Sequence, residues 1–258
     1  MILDKIIQHK RIEVKEARAR HSHTDLVRQA LAAPPATSLL ASLAKGDGVC
    51  VIAECKKASP SKGVIRPDYA PDRIAVAYEQ NGAAAISVLT DEHFFQGSMK
   101  DFRSVRQAVV LPLLRKDFII DEYQLFEARA AGADAVLLIC AVLDLHQLRD
   151  YVAIVNELKM DALVEVHELQ ELEAAVECNT GILGVNNRNL RSFEVDLAQT
   201  AEVARLTPDD LLLVSESGIR NRKDVDFVAS VGAKAVLIGE TFMRAENPGK
   251  ALRALLRD

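Results

Sequence analysis

Ala131-Gly-Ala-Asp-Ala-Val-Leu-Leu-Ile-Cys140 reads as the end of a helix, a glycine break and a buried strand within ten residues. Glycine ends a helix readily because it enters the left-handed region without steric penalty. The unbroken apolar run behind it fits a strand covered on both faces, as in a parallel sheet. The phrase returns as Asn81-Gly-Ala-Ala-Ala-Ile-Ser-Val-Leu-Thr90 and Val231-Gly-Ala-Lys-Ala-Val-Leu-Ile-Gly-Glu240, with a fainter copy in Thr180-Gly-Ile-Leu-Gly-Val-Asn186. Its glycines stand at 82, 132, 181 and 232, so the steps are 50, 49 and 51 residues. Such a step holds two βα units of ordinary length.

Between the copies lie four more strand candidates: Val49–Cys55, Leu113–Lys116, Ala162–Glu165 and Leu211–Ser215. Eight strands then alternate with helical stretches such as Asp121–Ala131 and Leu145–Leu158, and parallel strands with short connections close into a barrel. The predicted class is α/β, a (β/α)8 TIM barrel over residues 49–258, which suits a chain of 258 residues with 49% hydrophobic content. An open doubly wound sheet fits less well, because no Gly-x-Gly-x-x-Gly turn occurs and the repeat runs evenly to the end. Residues 1–48 carry no strand and are expected to form a helical extension of the same single domain. In it, Asp4 is placed as a helix cap before an apolar stripe of Ile6, Ile7, Ile12 and Val14. The charged run Lys10–Arg20 is read as a solvated face with i,i+4 pairing. Ser38–Leu43, after Pro34-Pro35, is expected to be a second short helix. The extension would either plug one end of the barrel or cover its mouth.

Composition narrows the function. A net charge of −5 and the absence of a basic tail argue against a nucleic-acid surface. No apolar run is long enough for a membrane span, and Met1-Ile-Leu-Asp-Lys is not a signal peptide. Cys50, Cys55, Cys140 and Cys178 lack metal-ligand spacing and read as reduced core residues of a cytoplasmic protein. The six histidines are scattered, His93 and His167 look isolated, and no metal or other cofactor is expected.

Barrel enzymes place their chemistry where the strands end. The first strand offers Glu54 and Lys56, two residues apart and so on one side. A mobile loop, Ser59–Gly63, follows. The third strand gives Lys116 with Phe118 beyond it, the fifth Glu165, the sixth Asn186 and then Arg188. The seventh gives Glu216, Ser217 and Gly218, the eighth Gly239 and Glu240. A purely structural barrel has no need of charged residues at the ends of strands one, three, five and seven. The small residues Ser217-Gly218 and Gly239 match a cradle in which backbone N–H groups approach a phosphate. Phe95 and Phe118 are placed either as a slot for a flat ring or as ordinary core. The residue types favour cofactor-free acid/base chemistry on a small phosphorylated substrate.

Ala53–Gly63, Leu89–Ser98, Leu114–Ile119, Leu163–His167, Gly184–Leu190 and Ser215–Ile219 together resemble the indole-3-glycerol-phosphate synthases, in that family's order and across nearly the whole chain. The resemblance implies a barrel enzyme of tryptophan biosynthesis. Its reaction turns 1-(2-carboxyphenylamino)-1-deoxyribulose 5-phosphate into indole-3-glycerol phosphate, releasing CO2 and water. By the same resemblance Lys116 would be the general acid at the carbonyl, with Glu165 and Glu54 serving the dehydration. Lys56 would contact the substrate's carboxylate or hydroxyl, and Asn186 and Ser217 would orient these groups. Ser59, Phe95, Phe118, Arg188, Glu216, Gly218, Gly239 and Glu240 would contact substrate or phosphate.

Ala58 departs from relatives that carry a basic residue there, which shifts phosphate contact to Ser59 or a backbone amide. No residues remain for the phosphoribosylanthranilate isomerase to which some bacterial synthases are fused, and a monomer is favoured. A proton donor of this kind works best with its pKa lowered, so Lys116 is expected to be depressed by burial or by the second lysine. Two competing readings are a class I aldolase, with Lys116 as Schiff-base nucleophile, and a non-catalytic barrel.

Overall fold

A computed structural model of the chain describes residues 2–46, 48–189 and 192–257; Met1, Asp47, Leu190 (the last residue of the sixth-strand motif), Arg191 and Asp258 lie outside the described residues. Eight parallel strands close on themselves: β1 (Cys50–Cys55), β2 (Ala85–Leu89), β3 (Leu113–Lys116), β4 (Ala135–Ile139), β5 (Asp161–Val166), β6 (Ile182–Asn186), β7 (Leu212–Glu216) and β8 (Ala235–Ile238), with β8 returning to β1. This is the (β/α)8 TIM barrel read from the repeat. The register sets Glu54 of β1 beside Ser87, Ile139 of β4 beside Glu165, and Asn186 of β6 beside Glu216.

Because side chains alternate along a strand, the unbroken apolar runs divide into two packed layers. Ile52, Ala85, Leu114, Leu137, Leu163, Val214 and Leu237 fill the barrel interior. Val51, Ala53, Ile86, Val136, Leu138, Val164, Leu183 and Val236 face outward against the surrounding helices. Three repeat glycines behave as helix stops, with φ of +100° at Gly82, +87° at Gly132 and +109° at Gly232. The fourth copy differs: Asn179 takes the left-handed position with φ of 51°, and Gly181 instead makes room for Leu40, which a Cβ there would approach to 2.8 Å.

The extension is three helices rather than two. α1 (Ile2–Arg20) starts ahead of Asp4, so Asp4 lies in the first turn, where a negative charge suits the helix dipole, and is not the cap. Ile6, Lys10 and Val14 are its buried residues, whereas Ile12 is 55% exposed. The run from Lys10 therefore has a solvated face, with Arg20 on Glu16 at 2.8 Å, but begins with a buried lysine. α2 (His23–Ala32), capped by Ser22, was hidden from the pattern by its short apolar stripe; it packs on α6 (Tyr123–Ala130), where the His23 and Phe126 rings meet edge to face at 5.2 Å. α3 (Leu39–Ala44) is capped by Ser38. Leu39 and Leu43 enter the interior cluster, and Asp161 at the start of β5 accepts hydrogen bonds from Ser38 Oγ at 2.9 Å and Leu40 N at 3.0 Å. The extension thus does both jobs considered for it: α3 plugs the N-terminal end of the barrel, and α1 crosses the opposite end. Among the described residues no helix is long and apolar enough to cross a membrane.

Leu39 is fully buried beneath the barrel, remote from the strand ends that carry charge. Leu39→Ala is expected to lower the unfolding free energy by about 3 kcal/mol while leaving turnover at low temperature unchanged, as read by urea denaturation beside a steady-state assay.

Candidate active site

A cavity of about 480 Å³ opens at the C-terminal ends of the strands, and every site residue named from the sequence lines it. At its floor Glu54, 3% exposed, holds Lys56 Nζ at 2.7 Å. Lys116 closes β3 and donates to Glu165 Oε2 at 3.0 Å, with Glu216 Oε2 at 3.4 Å. Glu165 also faces His167, whose Nε2 lies 3.2 Å from Oε1. His167 is therefore not isolated: two residues past Glu165, it returns to the same face of the chain, a period-2 signal already present in the sequence.

Two glycines in the barrel wall explain how so many carboxylates fit. A Cβ on Gly184 of β6 would collide with Glu216 Oε1 and Leu163, and one on Gly239 would collide with Glu54. Both are hollows for buried acids, and Gly239 additionally starts the short helix α11 (Glu240–Met243), labelled here after the intervening helices α4 (Pro71–Gln80), α5 (Met99–Ala108), α7 (Leu145–Glu157), α8 (Leu172–Glu177), α9 (Ala198–Ala204) and α10 (Arg222–Ser230). Ser217 and Gly218 leave β7 in consecutive left-handed conformations, φ 64° and 89°, turning the backbone into the cavity. Glu240 accepts from Arg244 at 2.9 Å and lies 3.7 Å from Arg188, so its carboxylate is spent on arginines rather than turned toward an anion.

The electrostatics of the floor reverse one expectation. Burial alone would lower the Lys116 pKa, but Glu165, Glu216 and Glu54 more than offset it and hold the ammonium above the ordinary lysine range. No depression by Lys56 results, because Lys56 is engaged by Glu54. Burial likewise raises both acids beside Lys116. For Glu165 the Lys116 and His167 charges prevail and hold it well below the usual carboxylate range. For Glu216 burial prevails over the more distant Lys116 and is reinforced by Glu165, so it is pushed up and retains its proton. The floor is an ammonium between a carboxylate and a carboxylic acid.

The rest of the rim mixes expected and unexpected groups. The Phe95 and Phe118 rings lie 6.0 Å apart, tilted by 38°. Ser59 sits in a two-strand hairpin, Ala58–Ser59 against Gly63–Val64, so the segment read as a loop has structure of its own. That hairpin is tied to the next wall by Ala58 N donating to Phe95 O at 3.2 Å. Ile2, Leu3 and Ile6 of α1 and the cations Lys62, Arg220 and Arg244 also line the cavity; none follows from strand-end logic, though Ile6 belonged to the apolar stripe. His93 is not isolated either, its ring 4.2 Å from that of His9. The four cysteines are free, with Cys55 and Cys178 buried but Cys50 and Cys140 only half-buried. Among the described residues no group of histidine, cysteine and acidic side chains could hold a metal ion.

The family model for indole-3-glycerol phosphate synthase matches residues 3–255. Among solved structures, an N-acetylmannosamine-6-phosphate 2-epimerase from Clostridium perfringens superposes with a TM-score of 0.59 at 15% identity, covering 74% of this chain and 86% of its own. A thiamine phosphate pyrophosphorylase from Pyrococcus furiosus gives 0.58 at 16% identity, with coverages of 81% and 94%. At such identities these two likenesses speak for the fold alone.

A proton retained by Glu216 in the folded state and lost in the unfolded one has a sign. As pH rises above the ordinary carboxylate value of 4.5, the unfolded chain releases that proton first, so stability falls until the folded-state group also ionises. Glu216→Gln is expected to remove this loss and to be more stable than wild type at neutral pH, by an amount that grows from acid toward neutral pH in urea melts. An equal effect at all pH values would show that Glu216 is ionised when folded.

Proposed function

This chain belongs to the indole-3-glycerol phosphate synthase family, carboxy-lyases of tryptophan biosynthesis, and from that membership we propose how its barrel mouth carries out the reaction. The observation that carries the proposal is the position of Lys116 Nζ, 3.0 Å from Glu165 and 3.4 Å from Glu216 at the floor of the cavity. A cation held there donates to the carbonyl oxygen of 1-(2-carboxyphenylamino)-1-deoxyribulose 5-phosphate while the ring carbon bearing the carboxylate attacks the carbonyl carbon. The attack sacrifices aromaticity for a moment, so the electrons must be received at a protonated oxygen. Breaking the carbon–carboxylate bond releases CO2 and restores the ring. The new hydroxyl then leaves as water, with Glu165 and Glu54 moving the protons, and the proton kept on Glu216 is close enough to Lys116 to recharge it.

The binding roles follow the cavity's charge. Lys56, held beside Glu54, receives the substrate's carboxylate or hydroxyl; Asn186 and Ser217 orient the reacting atoms. Phe95 and Phe118 flank the aromatic ring. The phosphate takes the backbone of Ser217-Gly218 and Gly239-Glu240 with Arg188, assisted by Ser59, and Glu240 sets Arg188 and Arg244 around it. This arrangement accounts for Ala58, since the arginines on other loops supply positive charge that position lacks. An aldolase would need a neutral nucleophilic lysine, and the acidic groups around Lys116, Glu165 first among them, favour the charged one.

The chain contains no tryptophan, so indole emission on adding the anthranilate-derived ribulose phosphate reports product alone. Wild type is expected to give that emission with EDTA present throughout. Lys116→Ala, folded by circular dichroism, should lose about 10³-fold or more in kcat. Wild-type kcat in that variant would reject Lys116 as the acid, and a borohydride-trapped adduct on Lys116 in the wild-type enzyme would favour the aldolase.

A further inference from the structure

Lys10 is a lysine on a charged surface helix, yet it is 2% exposed. Its Nζ lies 2.9 Å from Asp91 Oδ2 and 2.8 Å from Asp117 Oδ1, with Glu13 also in contact. Both aspartates are buried, at 0% and 3% exposure. Each also accepts from the backbone of a phenylalanine that walls the cavity. Asp91 Oδ1 accepts from Phe94 N at 2.7 Å and Phe95 N at 3.2 Å. Asp117 Oδ1 accepts from Phe118 N at 2.8 Å, and its other oxygen takes Thr90 Oγ1 at 2.6 Å and Arg115 Nη2 at 3.1 Å. One ammonium on α1 therefore joins the loop after β2 to the loop after β3, through the very carboxylates from which Phe95 and Phe118 hang. Burying this many charges is costly unless the geometry is held, and removing the Lys10 cation takes away the group that bridges Asp91 to Asp117, leaving Asp117 with Arg115.

We propose that Lys10 is a positioning residue for the aromatic half of the substrate, fixing the separation of the Phe95 and Phe118 rings by tying Asp91 to Asp117. The inference rests on the functional reading above and adds to it a residue far from the reacting atoms in sequence and type. A clasp that only held α1 down would act through Ile2, Leu3 and Ile6, which line the same cavity as the other site residues, and so on ligands with and without a ring. A residue that sets the ring slot acts on ligands that carry a ring.

The test compares two ligands by calorimetry: indole-3-glycerol phosphate, which fills the slot, and glycerol 3-phosphate, which does not reach it. Lys10→Met is expected to weaken the first by about tenfold and the second by less than about twofold, the size of effect that lost aromatic packing gives. Equal weakening of both ligands, or of neither, overturns the inference. Should Lys10→Met fail to fold, Asp91→Asn carries the same comparison, since it keeps an acceptor for Phe94 N and Phe95 N but drops the ion pair; the same selective loss is expected and an unchanged ratio overturns the proposal. Wild-type protein that binds neither ligand and makes no indole overturns the functional reading and this inference together, whereas normal wild-type turnover with an unselective Lys10→Met overturns this inference alone.

Discussion

An ammonium set among buried acidic side chains at the end of β3 is the constraint to which the rest of the barrel answers. Lys116 sits among Glu165, Glu216 and Glu54, and charges held out of water are tolerated only where geometry compensates each one. The closed hydrogen-bonded barrel supplies that rigidity, since its strands have no free edge along which to relax. The wall is also thinned where the acids need space: Gly184 admits Glu216 and Gly239 admits Glu54. A side chain at either glycine would have to displace a buried acid, and at Gly184 also Leu163. Stability at this end of the barrel has been traded for an organised charge cluster, while the apolar layers and the α3 plug at the other end hold the fold together.

The same division explains why the N-terminal segment reaches both ends of the molecule. α3 contributes only leucines and hydrogen bonds to strand starts, so its chemistry is that of a core. α1 contributes apolar side chains to the cavity and a lysine to the loops beneath it. One continuous extension thus couples closure of the barrel floor to the shape of its mouth, with Arg18 on Asp121 as a further, exposed tie.

Much of this was readable from residues alone, for a physical reason. Strands buried on both faces leave long apolar runs, helix stops leave glycines, and buried strands ending in Glu, Lys or Asn interrupt an apolar pattern where nothing structural requires it. Those signals are local. Lys10 reads as solvated because seven of the eleven residues from Lys10 to Arg20 are charged, the composition of a solvated face; its partners, Asp91 and Asp117, come from loops far along the chain, and only packing brings them under it. The direction of the Lys116 shift differs from the sequence expectation for a related reason. The sequence shows two lysines and several acids at strand ends but not which are nearest, and here each lysine found a carboxylate. Gly239 was legible as a small residue near an anion site, whereas its service as a hollow for Glu54 depends on a contact across β8 and β1.

The cavity is polarised, and the polarity matches the proposed substrate. Glu54, Glu165 and Glu216 are buried at the floor, whereas Lys62, Arg220 and Arg244 are exposed at the rim, where Arg244 is partly balanced by Glu240. On the proposed function, field lines between a low-dielectric floor and a cationic rim would draw a dianionic phosphate to the rim and keep it from the floor, where it would meet carboxylates. A substrate tethered in that way would present its other end to Lys116, and that end carries the carbonyl and the ring. Among the described residues Lys56 on Glu54 offers a further cation near the floor, which the proposed function gives to the ring's carboxylate, and repulsion elsewhere in the floor would narrow the orientations left to it. Orientation of this kind needs no contact with the reacting atoms themselves; it follows from where the like charges are buried and where the unlike ones are exposed.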